Sequence, residues 1–350
     1  MPTWGDILVE LQQTSQQVAQ GVQTGQFPPT ASPFDIVRRK YLTALHQQTG
    51  RNVILYASKW TQWTPGTEPE LISITAEDVQ GFMEVMHGLG DAPLDMVMHL
   101  PGGSAEAAES LVSYIRSKFN EVRVFVPHAA LSAATMFACS ANRIVMGSHS
   151  FLGPIDPQFF VQGDLGRFAV AAHAIEEQFA LAKQECQNPA LLGAWLPILR
   201  QYGPALIIQC KLARELSESL VATWLERYML PASPVRHDSA LQIAARLADH
   251  ANFKSHSRFI DRTSAKGFGL VVDDLEADQA LQDAVLSVFH ATAHSFNSTP
   301  ALKIIENHLG KAFIKSSPQP HIHMQQQPTP QPGRRPVIAP PPPATTPGPP

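Results

Sequence analysis

The sequence predicts an α/β fold built on a parallel sheet, and two observations support this prediction. Short apolar runs alternate with amphipathic segments along the first half of the chain. One of these runs, residues 94–100, shows little alternation, as expected for a strand that is covered on both faces. Strands that alternate with helices along a chain pair in parallel through right-handed crossovers.

The composition narrows the class of protein. The chain has 350 residues, of which 44% are hydrophobic, enough for a sizeable core. A net charge of −4 does not favour nucleic acid or an acidic membrane as a partner. Three cysteines without short spacing argue against a disulfide framework or a Cys-rich zinc site. We see no signal peptide and no apolar run of roughly 18 residues, so we expect a cytoplasmic protein without a membrane span.

The N-terminal half alternates between predicted helices and strands. Residues 1–30 are rich in Gln and Thr, and we expect a mobile arm there. The spacing of apolar residues after the arm predicts the elements of one domain over 31–315. In order, these are a helix over 33–49, a strand over 51–56, a helix over 75–87, a strand over 94–100, a helix over 104–119, a strand over 122–126, a helix over 133–141 and a strand over 143–146.

The C-terminal half is predicted to be mostly helical, and this part is expected to form an additional helical arm. The tail over 316–350 is rich in Pro and Gln, which predicts disorder with polyproline II character. It is either a solvated tail or a ligand for a partner that binds proline motifs. The predicted elements are helices over 168–185, 204–229 and 241–251, a short strand over 258–260, a short helix over 261–266, a strand over 271–272 and a helix over 277–296.

Two turns carry residue types that acyl transfer needs, namely a nucleophile and hydrogen-bond donors for an oxyanion. Gly102 and Gly103 follow a strand and precede a helix, where the backbone amides favour negative charge. Ser132 also stands between a strand and a helix, and the amide of Ala133 follows it directly. The structural alternatives are an ordinary Pro-Gly-Gly turn and a serine that caps its helix.

Four blocks of sequence resemble the superfamily of Clp proteases and signal peptide peptidase A. They are Leu-Pro-Gly-Gly-Ser-Ala-Glu-Ala-Ala-Glu at 100–109, Ala-Leu-Ser-Ala-Ala-Thr-Met at 130–136, Ser-Ala-Asn-Arg-Ile-Val at 140–145 and Phe-Leu-Gly-Pro-Ile-Asp at 151–156. Within that superfamily the chain most resembles the serine dehydrogenase proteinases, over roughly residues 30–315. Despite that family name, no Gly-x-Gly-x-x-Gly follows a strand, so we do not expect a nicotinamide dehydrogenase.

The resemblance implies a Clp/crotonase-type β-β-α superhelix that assembles as a homo-oligomer and hydrolyses peptide bonds without a cofactor or metal. It implies that Ser132 is the nucleophile and that the amides of Gly103 and Ala133, beside Gly102, form the oxyanion hole. For the base, Clp proteases use a histidine with an aspartate, whereas signal peptide peptidase A enzymes use a lysine. Lys183 follows Ser132 by 51 residues, close to the serine–lysine spacing of the short signal peptide peptidase A enzymes.

The other ionisable residues receive smaller roles. Asp156 is expected to shape the floor of the site, and His149 is the next candidate base after Lys183. We regard the pair His237-Asp238 and also His256 as structural, because they lack the spacing of a metal motif. His128, His173 and Lys211 are further candidate bases, each with less support.

The sequence thus predicts a serine endopeptidase with a Ser132–Lys183 dyad and a peptide or protein substrate. Two alternatives remain open. One is a catalytically silent oligomeric scaffold that recruits partners through the proline-rich tail. The other is an acyl-CoA-processing enzyme, because crotonases share this fold and its oxyanion architecture.

Overall fold

The computed structural model describes residues 3–62, 67–163, 166–256 and 258–317, and the account below applies to these residues. The strands are β1 (Asn52–Ser58), β2 (Leu94–His99), β3 (Val122–Val126), β4 (Ala129–Ala130), β5 (Arg143–Met146), β6 (Phe151–Leu152), β7 (Gln158–Gly163), β8 (Gly166–Ala171), β9 (Ile260–Asp261), β10 (Val272–Asp274), β11 (Ala301–Asn307) and β12 (Ala312–Ser316). The helices are α1 (Trp4–Gln23), α2 (Pro33–Thr49), α3 (Pro69–Ile72), α4 (Asp78–Met86), α5 (Ala105–Lys118), α6 (Ala133–Cys139), α7 (Ala172–Glu185), α8 (Leu192–Leu199), α9 (Leu206–Trp224), α10 (Arg236–Ala248), α11 (His250–Phe253), α12 (Arg262–Phe268) and α13 (Gln279–Ser298).

The main sheet has seven strands in the order β10-β5-β3-β2-β1-β11-β12. The pairs from β10 to β1 are parallel, whereas β11 and β12 add antiparallel strands at one edge. A small sheet, β4-β6-β9, lies beyond the ends of β2 and β3, and β7 and β8 form a separate hairpin. The predicted α/β class with a mostly parallel sheet is therefore confirmed.

Helices cover both faces of the sheet, which explains why its central strands are mostly apolar. On one face, Tyr56, Met96 and Met98 belong to the apolar cluster that includes residues of α4, α5, α6, α9 and α10. On the other face, Val97 and Phe125 join the cluster formed with α1, α2 and α13. Alternate residues of one strand thus serve two cores, and the candidate site develops where these strands end.

The N-terminal segment differs from the predicted mobile arm. Over Trp4–Gln23 it is a helix whose first turn is closed by reciprocal hydrogen bonds between Thr3 and Asp6. Ile7 and Leu11 are buried against α2 and α13. The polar residues between these apolar positions lie on the outer face, which explains why the sequence shows only a weak helical pattern.

Several predicted boundaries change in the C-terminal half. Residues 168–171, predicted as the start of a helix, belong to β8, which pairs with β7 before α7 begins. The predicted helix over 204–229 is α9 followed by one π-helical turn, Leu225–Met229. α8 and the edge strands β11 and β12 were not predicted. The predicted tail falls almost wholly on 318–350, which lie outside the described residues. Within the described part of the chain, no helix has both the length and the apolar character needed to cross a bilayer.

Candidate active site

The glycine turn after β2 is held by a neighbouring loop. Gly102 and Gly103 both adopt positive φ, at 108° and 151°. The Ile74 amide donates to the Gly102 carbonyl at 2.7 Å, and the Ser104 amide donates to the Ile74 carbonyl at 3.0 Å. These two bonds do not use the amide of Gly103, which lies between them in the chain. The turn is therefore held by Ile74 on both sides, and neither of the two hydrogen bonds involves the amide of Gly103.

Ser132 has a backbone conformation that a side-chain-bearing residue rarely adopts. It lies between β4 and α6 with φ 52° and ψ −122°. Its side chain makes no capping hydrogen bond to α6, so the structural alternative of a helix cap does not apply. Conformations of this kind cost about 1–3 kcal/mol and occur at functional sites, where the surrounding structure maintains them. The strained turn is thus an observation that points to a chemical role for this serine.

The glycine turn and Ser132 are in direct contact. A methyl group added to Gly102 would lie 2.7 Å from Cβ of Ser132 and 2.7 Å from the Leu131 carbonyl oxygen. Ala133 is the first residue of α6, so its amide has no helical carbonyl to bond. The amides of Gly103 and Ala133 therefore belong to two turns that meet at Ser132, which makes them candidate donors to an oxyanion.

Both turns open into a cavity of about 420 Å³. Its walls come from the two turns, the start of β7, residues of α9 and the loop after α11. Apolar side chains such as Met136, Phe159 and Leu216 contribute to the lining, and His256 stands at the wall supplied by the loop after α11. The cavity thus combines an apolar surface with a few polar groups, as substrate sites usually do.

His256 belongs to a cluster around a buried carboxylate. Asp156 is 2% exposed and has one oxygen 2.7 Å from Nδ1 of His256 and the other 2.8 Å from Nδ1 of His250. An Nδ1–H that faces a carboxylate leaves the lone pair of the ring on Nε2. His256, which lines the cavity of Ser132, therefore has its contact with Asp156 through Nδ1 and not through Nε2. Within the described residues, no group of three His, Cys, Asp or Glu is placed to hold a metal ion.

The remaining candidates from the sequence lie elsewhere. Lys183 is exposed on α7 and does not line the described cavity of Ser132. His149 is exposed on the turn before β6. His173 contacts Glu177, and Lys211 contacts Glu215, one helical turn away in each case. His237 is paired with Glu226 on the surface, and His128 lines a second cavity that is described below.

Sequence reasoning placed Asp156 near the site but missed its partner His256. The two residues are 100 positions apart, and the described chain between them forms a hairpin and the five α-helices α7 to α11. No local pattern connects residues at such a separation. The one signal available was that two histidines, His250 and His256, occur close together after the long helical region.

Gly103→Ala is expected to destabilise the protein and disrupt the oxyanion turn. A methyl group at Gly103 would lie 2.3 Å from the carbonyl oxygen of Ile74 and 2.4 Å from its amide nitrogen, both of which are backbone atoms. We expect a loss of about 2–4 kcal/mol in the free energy of unfolding, measured by denaturant titration. Gly90→Ala is the matched control, since nothing lies within 4 Å of a methyl group there. Equal stabilities of the two variants would contradict this account of the turn.

Ser132 and the His256–Asp156 pair bring to one cavity the residue types that serine hydrolases combine. Residues 32–168 match the family model described as ClpP-like SDH-type serine proteinase. The matched segment includes the glycine turn, Ser132 and Asp156, whereas His256 lies beyond it.

Two curated relatives are uncharacterised proteins of Methanocaldococcus jannaschii. One is 37% identical over 86 residues, which cover 24% of this chain and 30% of the relative. The other is 28% identical over 134 residues, which cover 38% of this chain and 46% of the relative. The chain thus matches less than half the length of either. A structural similarity to a membrane-bound stomatin-specific protease covers 57% of this chain and 75% of that chain, with 14% identity and a TM-score of 0.33.

Proposed function

We propose that this protein is a serine endopeptidase in which Ser132 is the nucleophile, His256 the general base and Asp156 the residue that orients the base. The observation that carries the proposal is the strained Ser132, which shares one cavity with a histidine bound to a buried carboxylate. The match of residues 32–168 to a serine proteinase family model supports a polypeptide as the substrate. The Clp/crotonase-type superhelix is the form of α/β fold that we propose for the domain.

The proposed reaction begins when Nε2 of His256 removes the proton from the Ser132 hydroxyl. Oγ then bonds to the carbonyl carbon of the peptide, and the carbonyl oxygen becomes an oxyanion. The amides of Gly103 and Ala133 donate to that oxygen. One such donor in an enzyme is worth about 10²–10³ in kcat. When the intermediate collapses, the carbon–nitrogen bond breaks and His256 returns the proton to the leaving amine.

The second half of the reaction repeats these steps with water. His256 takes a proton from a water molecule, whose oxygen attacks the ester carbon of the acylated Ser132. The collapse of this second oxyanion releases the carboxylic acid, and the proton returns to Oγ. Asp156 keeps the ring in position and stabilises the imidazolium that forms in both halves. His250, on the other oxygen of the carboxylate, holds Asp156 itself.

Lys183 is the second candidate for the base, on the strength of the sequence resemblance. A lysine acts as a base only when it is neutral, which at neutral pH requires burial away from water. The side chain of Lys183 is exposed and does not line the cavity within the described part of the chain. These contacts favour His256, and the Ser132–Lys183 dyad stays a prediction that mutation can decide.

We also propose that the protein assembles as a homo-oligomer. Several large apolar side chains are exposed on α8 and α9, where a single chain leaves them in contact with water. They are Leu192, Leu196, Ile208 and Leu212. An interface between subunits would cover such a surface.

The proposed activity is tested by hydrolysis of casein and of a fluorogenic peptide. We expect wild-type protein to cleave and Ser132→Ala to lose activity by about a thousandfold or more. Ser113→Ala, an exposed serine on α5, is the matched control and is expected to keep full activity. If folded wild type is as inactive as Ser132→Ala, the peptidase proposal fails. Coenzyme A binding by that inactive protein would then favour acyl-CoA chemistry, and its absence would favour a scaffold.

A further inference from the structure

A second cavity lies on the other face of the main sheet, next to α13. It has a volume of about 290 Å³ and is lined by residues of α1, the loop after β1, β2, the loop after β3 and α13. His99, the last residue of β2, pairs in register with Ala57 of β1. Both residues lie on the face of the sheet that packs against α13. The next residue, Leu100, belongs to the opposite core. The sheet therefore separates this second cavity from the cavity of Ser132.

Aromatic rings surround the cavity. The rings of His99 and His128 stack at 5.2 Å between centroids, and Trp60 lies 5.3 Å from His99 and 6.4 Å from His128. Phe289 of α13 meets the His99 ring edge-on at 5.1 Å. Phe296 adds a further ring to the lining. Rings in stacked and edge-on contact present flat faces, which complement a flat molecule.

Two buried acceptors at this cavity have no hydrogen-bond partner among the described residues. They are Nδ1 of His99 and Oε1 of Gln62. His99 is only 3% exposed, so water from the surface does not readily satisfy its ring. A buried polar atom without a partner costs free energy, and native structures seldom leave one without a reason. Both atoms belong to residues that line the same cavity, which indicates a missing donor.

The protonation state of the His99 ring decides whether Nδ1 accepts or donates a hydrogen bond. Burial, with a smaller contribution from the neighbouring His128, lowers the pKa of His99 to about 3. A hydrogen bond to the backbone of Ala129 raises the pKa of His99. A bond in which the ring N–H is the donor has this effect, because it stabilises the protonated ring. Since Nδ1 has no partner, that bond belongs to Nε2. Neutral His99 therefore presents the lone pair of Nδ1.

The lining of the cavity also excludes charged ligands. Among the described residues that line it there is no Asp, Glu, Lys or Arg, and burial lowers the pKa of His128 as well. A phosphate or carboxylate would find no cation there. The volume lies at the lower end of the range for ligand sites, about 300–1,000 Å³, which suits a small molecule.

We propose that this cavity binds a neutral, flat aromatic molecule of one or two fused rings whose ring N–H donates a hydrogen bond to Nδ1 of His99. The aromatic faces supply contact area, and the ring N–H satisfies the buried acceptor. The site is independent of the proposed peptidase chemistry, since none of its lining residues contributes to the cavity of Ser132.

Calorimetric titration of the full chain with indole tests this proposal, with 1-methylindole as the matched probe that lacks the N–H. We expect saturable 1:1 binding of indole, at least tenfold tighter than binding of 1-methylindole. Ala293→Leu places a larger side chain in the cavity wall and is expected to abolish the binding of both probes. The thermal unfolding of this variant is measured first to establish that it folds.

His99→Phe removes the acceptor and keeps a ring in the wall. We expect this variant to lose the preference for indole over 1-methylindole. The comparison of the two probes on wild type remains decisive if His99→Phe does not fold. Absence of indole binding, equal affinities for the two probes on wild type, or unchanged binding by folded Ala293→Leu would each overturn the proposal.

Discussion

His256→Gln is expected to lower kcat for peptide hydrolysis by about a thousandfold or more and to leave KM close to the wild-type value. Glutamine keeps a polar side chain of similar reach but cannot accept a proton from Ser132 at neutral pH. The loss falls on kcat because the base acts in the transition state, whereas the apolar walls that bind substrate are unchanged. Steady-state kinetics on a fluorogenic peptide measures both constants.

Lys183→Ala is the matched variant for the alternative base, and we expect its kcat to stay within about twofold of wild type. An exposed side chain outside the cavity contributes no proton transfer there. His149→Gln controls for the loss of an exposed histidine and is expected to behave like Lys183→Ala. A collapse of activity in Lys183→Ala with full activity in His256→Gln would exchange the roles of the two residues.

Lys303→Met is expected to reduce the free energy of unfolding by about 3–5 kcal/mol. Lys303 and Asp78 are both 0% exposed, and Nζ lies 2.8 Å from each carboxylate oxygen. Burial lowers the pKa of Lys303, and the Asp78 carboxylate acts in the opposite direction. Removing the lysine leaves the buried Asp78 carboxylate with only Lys315, 3.5 Å away, as a cation among the described residues, and the loss of one partner is the costly way to break a buried pair. Denaturant titration measures the loss.

The same pair holds the loop that fixes the glycine turn, so we also expect a lower kcat in folded Lys303→Met. Lys303 donates to the Ser73 carbonyl, and Asp78 accepts from the Thr75 amide at 3.0 Å. Ile74, between these two anchored residues, makes both backbone bonds to the turn of Gly102 and Gly103. Loss of the anchors therefore loosens the donors of the proposed oxyanion hole.

Lys40→Met is the control for the loss of a lysine ion pair. Lys40 is paired with Glu10 but is 59% exposed, and surface pairs contribute about 0–1 kcal/mol. Adding Asp78→Asn to Lys303→Met is expected to restore part of the stability, because the double variant buries no unpaired charge. If Lys303→Met is as stable as Lys40→Met, the buried pair does not support the loop in the way described.

Local patterns were enough to predict the centre of the sheet and both turns. β2 and β3 are apolar runs between clear breakers, and Gly102, Gly103 and Ser132 stand at strand-to-helix junctions that short sequence motifs define. The strain at Ser132 was not predictable, because it depends on how the surrounding backbone packs. The strands and turns that were predicted correctly are each defined by residues that are neighbours in sequence.

The failures depend on contacts between distant residues. β11 was missed because Lys303 and Glu306 interrupt its apolar pattern, and both are buried with partners from other elements. β8 was taken as part of a helix because its residues run directly into α7. His256 was regarded as structural because it lacks the spacing of a metal motif, and its contact with Asp156 exists only in the folded chain. In each case the structure depends on a partner that is distant in sequence, and a local pattern does not show that partner.

Covalent labelling with a fluorophosphonate, followed by peptide mapping in a mass spectrometer, tests most directly whether Ser132 is an activated nucleophile. Only an activated serine attacks such a reagent rapidly, and the bond formed to Oγ identifies the residue. We predict a single adduct on Ser132 in wild type, none in Ser132→Ala, and slow labelling in His256→Gln. An adduct on another residue, or no adduct on Ser132 in a protein that cleaves casein, would contradict the account.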